Sequence, residues 1–383
     1  MARILFICPT APRPERTGLA MRASVSVDGL ARDDDLTVAV VRSTHDSVDL
    51  EWVRARASRV VEAPYGSDWR SAFSWFTSAR GRRVAAGPLP TLVTHRPPDV
   101  GLRLLRRVGT SFDAVVVMGT YLSGVALPFL DEGIPGILDA FDNDARTCAS
   151  LARLDKSYLP EVARFEAFQE EAFGWFHRVL FASLEDAVPH FDHLPNAVAI
   201  PDAGEARAAG SPINVLFVGN PGYLPNADAL ERLNRLILPA LVAQGLDVAL
   251  LHPTPEEDVG PLYRRSHVAV VPLRAGGGTR IKVLESFAHS CAVVSTPTGA
   301  RGLSVSDGQH LVVTADDDDP RAFAQAVAEL AREDVRRTRI IKAAREYVAV
   351  HHDRRLIGAQ MARLVHGVIS DVADAPGPGS SLS

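Results

Sequence analysis

Between Pro272 and Glu285 the chain reads PLRAGGGTRIKVLE, and the order of residue types there has a definite chemistry. An apolar run precedes three glycines that leave the backbone bare, and a helical pattern starts directly behind them. A helix N-terminus offers unpaired N–H groups and about half a positive charge, which suits phosphate. Arg280 and Lys282 add two full positive charges near that end. Glu285 lies one to two turns further in, where a carboxylate repels phosphate but accepts hydrogen bonds from sugar hydroxyls. The competing reading is a flexible strand–helix loop with two solvated basic residues.

Other residues offer less. Asp142-Asn143-Asp144 spells D-x-D, a pair of carboxylates of the kind that holds Mn²⁺ or Mg²⁺. Asp142 also reads as a group that contacts a sugar or an acceptor, and either aspartate as a helix N-cap. Asp316–Asp319 resembles a calcium-ligand run, but an acidic stretch ahead of Pro320 is normal helix capping. His351 and His352 are helical neighbours, about 100° apart around the axis, and are poorly placed to chelate one metal. Gly18 closes the loop after the first apolar run, either as a turn glycine or to let backbone amides approach a ligand. No G-x-S-x-G, P-loop lysine motif or H-E-x-x-H occurs.

Composition narrows the class. The 383 residues are 46% hydrophobic, enough for two cores, which excludes a mainly disordered or fibrous chain. Forty-one basic residues mix evenly with 46 acidic ones for a net charge of −5, with no basic arm of the kind nucleic acid requires. Cys8, Cys148 and Cys291 are scattered, so neither a disulfide framework nor a zinc site is indicated. No apolar run reaches the ~20 residues of a bilayer span, and MARILFIC is too short for a signal-peptide core. A soluble cytoplasmic protein is expected.

The elements that position these residues follow from periodicity. Strands are expected at Arg3–Cys8, Leu36–Val41, Ala114–Met118, Ile134–Leu138 and Val179–Ala182, with helices at Leu19–Arg32 and Tyr158–Phe176. A Pro-, Ala- and Gly-rich stretch at 192–212 reads as a linker. Strands then restart at Asn214–Val218, Val248–Leu251, Val268–Val271 and Ala292–Ser295, alternating with helices at about Asn226–Leu241, Thr279–His289 and Pro320–Arg332. From Val335 to Ile369 the chain reads as wholly helical. Two α/β halves, each opening with strand, glycine loop and helix, therefore follow one another.

PLRAGGGTRIKVLESFA resembles the retaining glycosyltransferases of family 4, "glycosyl transferases group 1", of the GT-B fold. VLFVGNPGYLPNADALERLNRLILPAL resembles the opening unit of that family's C-terminal domain, and AVVSTPTGARGL with DPRAFAQAVAELARED its succeeding strand and helix. LPNAVAIP resembles the interdomain P-N-G element, with Ala197 in place of glycine. In the N-terminal half the looser matches are ILFICPTAPRPERTG with Arg22 behind it, GILDAFDNDA and FHRVLFASLED. The resemblance implies two Rossmann-like domains facing each other across a cleft, with C-terminal helices.

The implied division is 1–191 for the acceptor domain, 192–212 for the linker and 213–350 for the nucleotide-sugar domain. A helix at 351–370 would pack back toward the N-terminal domain, ahead of a disordered tail at 371–383. The activity implied is retaining transfer of a sugar from a nucleotide-diphosphate sugar to an acceptor hydroxyl on a glycan, a lipid-linked sugar or a small molecule, with no metal or cofactor. Arg280, Lys282 and Asp142 would be catalytic, and Gly18, Gly276, Gly277, Gly278, Thr279 and Glu285 would bind the sugar donor. Glu285 matches the second glutamate of the family's E-x7-E motif, whereas Gly277 stands where the first would be. The segment 251–268 lacks the further strand–helix–strand normal in the family. These two departures motivate the rival reading, a degenerate GT-B protein acting as a non-catalytic binding partner. A second rival reads Asp142–Asp144 as the metal motif of the other major glycosyltransferase fold, GT-A.

Overall fold

Short apolar runs such as Ala114–Met118 are too brief for helices, and they become parallel strands buried on both faces. The computed structural model describes residues 1–15, 17–44, 49–66, 74–202, 212–254, 257–278 and 280–374. Two compact units share the chain. The first comprises Met1–Ala145, Pro160–Leu194 and the chain from Arg355 on; the second comprises Arg146–Leu159 and Pro195–Arg354.

The first unit is built on seven parallel strands: β1 (Arg3–Cys8), β2 (Asp35–Ser43), β3 (Arg59–Tyr65), β4 (Ala114–Met118), β5 (Gly136–Phe141), β6 (Arg178–Phe181) and β7 (Asp192–His193). Their order is β3-β2-β1-β4-β5-β6-β7, so the winding reverses between β1 and β4. β3 has no counterpart among the expected strands. RVVEAPY is an edge strand with alternating burial, and its Pro64 is tolerated there because edge N–H groups need no partner.

The second unit carries β8 (Ile213–Leu216), β9 (Val248–Leu251), β10 (Val268–Val271), β11 (Ala292–Ser295) and β12 (Val312–Val313), all parallel, in the order β12-β11-β10-β8-β9. From β9 the chain reaches β10 through one helix among the described residues, Gly260–Arg265, and β9 lies at the edge of the sheet. The long helix expected from Asn226 is Leu224–Arg232, a π turn at Leu233–Ile237 and Leu238–Ala243. Pro239 explains the wide turn, because its ring and missing N–H disrupt the ladder one turn upstream. Asp319 caps the Pro320–Arg332 helix, accepting from Arg321 N at 2.9 Å and Ala322 N at 3.0 Å.

The helix expected over 335–369 is two helices, Asp334–His351 and Arg354–Ala373. The break has a cause in the backbone: His352 O accepts from Val198 N at 2.9 Å, and Arg354 N donates to Val198 O at 3.2 Å. The buried His352 ring sits 2.7 Å from Asn196 O through Nδ1 and 3.0 Å from the Tyr347 hydroxyl through Nε2. The last helix continues past 370 to Ala373, and residues 375–383 and 203–211 lie outside the described residues. Within the first unit it crosses the Gly18–Leu30 helix so closely that a Cβ on Gly29 would lie 2.7 Å from Gly358 Cα.

One buried ion pair ties that first helix to the sheet. Arg22 donates from Nε to Asp139 Oδ2 at 2.8 Å and from Nη2 to Asp139 Oδ1 at 2.7 Å, and also to Leu194 O at 3.0 Å. The side chains are 5% and 0% exposed. Removing one partner from such a pair strands a charge in the interior. Arg22→Met should therefore cost about 3–5 kcal/mol in urea unfolding, and the double change with Asp139→Leu should recover most of the loss.

Candidate functional site

In doubly wound sheets ligands bind beyond the carboxyl ends of the strands, where the winding reverses. In the second unit that point lies between β8 and β10, and the segments leaving them carry Phe217–Asn226 and Pro272–Glu285. The glycine stretch, Arg280, Lys282 and Glu285 are thus brought together at one sheet edge. Gly276 (φ 119°) and Gly278 (φ 67°) adopt left-handed backbone that other residues resist. Gly277 does not; there the constraint is space, since a Cβ would overlap the Thr147 hydroxyl and lie 2.8 Å from Thr147 Cβ. Thr147 and Ser150 belong to the Asp144–Leu151 helix, in the part grouped with the second unit. The Ser150 hydroxyl accepts from Gly276 N at 3.0 Å, so this amide already has a partner. Thr279 lies outside the described residues.

Arg280 precedes the Ile281–Ala288 helix and is buried. Its guanidinium donates to Gly277 O, to Gly276 O at 3.1 Å and to Thr298 O at 3.1 Å. It thereby clamps the glycine loop to the start of the next helix, where Asp317 accepts from Thr298 N at 2.9 Å and from its hydroxyl at 2.6 Å. The acidic run before Pro320 is therefore engaged in holding loops: Asp318 pairs with Arg274 at 3.0 Å, and Arg274 also grips Asp228. Among the described residues no group of three or more His, Cys, Asp or Glu is gathered as a metal site.

Lys282 projects from the first turn of the helix. Its ammonium donates to Asn226 Oδ1 at 2.6 Å and sits 4.9 Å from the centre of the Phe217 ring. Burial lowers its pKa from 10.5 to about 7, with Arg280 adding repulsion and Glu285 opposing it. Burial likewise raises Glu285 from 4.5 to about 7, against the pull of Lys282. Asn226 and Phe217 escaped the sequence reading. The available signal was an amide side chain early in a helix, just behind the Gly219 and Gly222 turn.

The first unit holds the other two expected residues. Gly18 is the first residue of the Gly18–Leu30 helix, capped by the Thr17 side chain. Asp142 follows β5 through Phe141, a non-glycine residue in left-handed backbone (φ 50°), the type of strain that clusters at functional sites. The first-turn amide of Ala145 is met by Gln169 Oε1 at 3.2 Å, so a residue distant in sequence serves this helix start. Burial and the neighbouring Asp142 charge raise Asp144 to about 7, against the pull of the nearby Thr120 hydroxyl.

Residues 197–333 match the family model "Glycosyl transferases group 1". No curated protein sequence matches the chain. Among solved structures, sucrose-phosphate synthase from Thermosynechococcus elongatus is similar at 12% identity and TM-score 0.70, covering 97% of this chain and 100% of that one. HepE of Anabaena with UDP and glucose gives 12% and 0.65 over 96% and 100%. The α,α-trehalose-phosphate synthase of Burkholderia vietnamiensis gives 13% and 0.66 over 97% and 98%. The fold is GT-B. Among the described residues no helix is long and apolar enough to cross a membrane.

Two measurements test this geometry. Gly277→Glu should lower the thermal midpoint of the free protein, because the new side chain meets Thr147 before any ligand arrives; an unchanged midpoint would refute that packing. The Lys282 and Glu285 shifts act on stability in opposite directions. Between pH 4.5 and 7 the folded Glu285 holds a proton the unfolded chain lacks, so stability falls as pH rises. Between pH 7 and 10.5 the unfolded chain holds the extra proton at Lys282, so stability rises with pH. Lys282→Met should accordingly be more stable than wild type at pH 7 and lose the rise above it, as read by urea midpoints across pH.

Proposed function

We propose that the protein transfers a sugar from a nucleoside diphosphate sugar to an acceptor hydroxyl, with retention at the anomeric carbon and without a divalent metal. The observation that carries this reading is the convergence, at the reversal point of the family-matched unit, of the Lys282 ammonium, the Glu285 carboxyl and a clamped glycine loop. As the bond from the anomeric carbon to the diphosphate breaks, negative charge grows on the leaving oxygen. A pre-positioned, desolvated cation stabilises that charge more than water can. Glu285 is placed to accept from hydroxyls of the ribose. Gly276–Gly278 let the chain approach the sugar, and Arg280 acts by fixing their conformation.

The acceptor falls to the first unit, where Asp142 and Asp144 follow β5, while Gly18, which opens the first helix, is assigned to the donor. Three separate buried free cysteines suit a reducing compartment and hence a cytoplasmic enzyme. UDP sugars are the first to try, since the HepE structures hold UDP and UDP-glucose.

The test is turnover of a panel of UDP, GDP, TDP and ADP sugars, with NMR assignment of the product anomer. We expect hydrolysis or transfer with one base, unchanged by EDTA, and donor binding weakened about tenfold or more in Lys282→Ala. Activity lost to chelation and restored by Mn²⁺ would favour the metal motif. An inert protein that binds no sugar nucleotide would favour a non-catalytic binding role.

A further inference from the structure

Asn226 stands between two elements of the donor site. Its Nδ2 donates to Asn220 O at 3.0 Å while its Oδ1 accepts from Lys282 at 2.6 Å, so both ends of the amide are engaged and its orientation is set. The side chain is 7% exposed, and it fits because residue 219 is glycine; a Cβ there would lie 2.8 Å from Asn226 Cγ. Beneath the ammonium lies the Phe217 ring, itself stacked on His252 at 5.7 Å. The charged groups that act on Lys282 come from its own strand–helix segment: Arg280 two residues before it and Glu285 three residues after. Across from it, among the described residues, the Leu224–Arg232 helix supplies the Asn226 amide, with its Asp228 paired to Arg274, and Phe217 supplies an aromatic face.

The choice of a neutral acceptor has a consequence. A carboxylate at this place would neutralise the ammonium permanently and compete with any incoming anion. An amide fixes the direction of the ammonium and leaves its charge uncommitted. We infer that Asn226 is a positioning residue of the donor site, holding Lys282 so that the bound diphosphate supplies its counter-charge and binding draws a proton onto the lysine. This rests on the donor reading above and extends it. The burial that lowers the Lys282 pKa to about 7 is the condition under which such proton uptake is measurable near neutral pH.

The chain has only three lysines, Lys156, Lys282 and Lys342, so lysine labelled with ¹³C at Cε gives three signals to titrate. In the free wild-type protein the Lys282 signal should titrate near neutral pH, well below the ordinary lysine value of 10.5. Adding UDP should move that titration upward, with matching proton uptake in calorimetry run in two buffers. Asn226→Asp should raise the free-state titration by about one to three pH units and weaken UDP binding. Asn226→Ala should lower the titration further, with UDP affinity recovering toward wild type at acid pH. A merely structural asparagine would not split the two variants in opposite directions. Lys282 titrating at the ordinary lysine value of 10.5, or both variants shifting it the same way, would overturn the inference while leaving the donor reading intact. Failure of every nucleoside diphosphate to bind, with Lys282 still titrating low, would remove the donor reading and the inference with it. The wild-type titration stands even if a variant does not fold.

Discussion

The Arg280 guanidinium binds the protein's own backbone, and the rest of the glycine-loop edge of the second unit depends on that choice. Three carbonyls from two loops, those of Gly276, Gly277 and Thr298, converge on one planar cation. Carbonyls crowded together repel, and two of these belong to consecutive glycines with almost no conformational preference of their own. The cation makes such a cluster a stable arrangement. With the loop fixed, the helix behind it starts at Ile281 and Lys282 leaves its first turn toward Phe217 and Asn226. Charge at the site therefore has two layers, one that shapes the loop and one left for chemistry.

That division marks the limit of what the chain's spelling conveys. The strands β1, β4, β9, β10 and β11 stand where apolar runs place them, because a doubly covered parallel strand admits little else. The order of types in GGGTRIK also located the edge at the reversal point where the glycine loop, Lys282 and Glu285 meet. What spacing could not assign was which cation faces inward: Arg280 and Lys282 differ by a rotation about the helix start that only the packing of Thr298 and Asn226 decides. Asn226 and Thr147 were invisible for the same reason, since each matters through a residue more than fifty or a hundred positions away. The His352 break shows the converse, a helical pattern interrupted because Val198 offers a strand-like partner.

The two sheets place chemistry by the same rule but with different parts. In the first unit the order reverses between β1 and β4 within seven strands; in the second it reverses between β8 and β10 within five. The direct crossing from β9 to β10 leaves the second sheet without a further strand beside β9, whose four residues are all only half-buried. His252, at the end of β9 with Nδ1 2.9 Å from Phe217 O, is what borders the Lys282 platform on that side. A narrower sheet has shortened the wall without disturbing the reversal point.

The crossing of Gly29 over Gly358 has a consequence for synthesis. The second unit is an insertion in the first: its last residue, Arg354, is made before the helix that covers the Gly18–Leu30 helix. A ribosome releasing this chain from its N-terminus presents the opening strand and helix more than three hundred residues before their final neighbour exists. The bare glycine face of the first helix must wait, while the inserted unit has all of its own residues earlier. The order of folding thus runs against the order of the chain, with the unit begun first completed last.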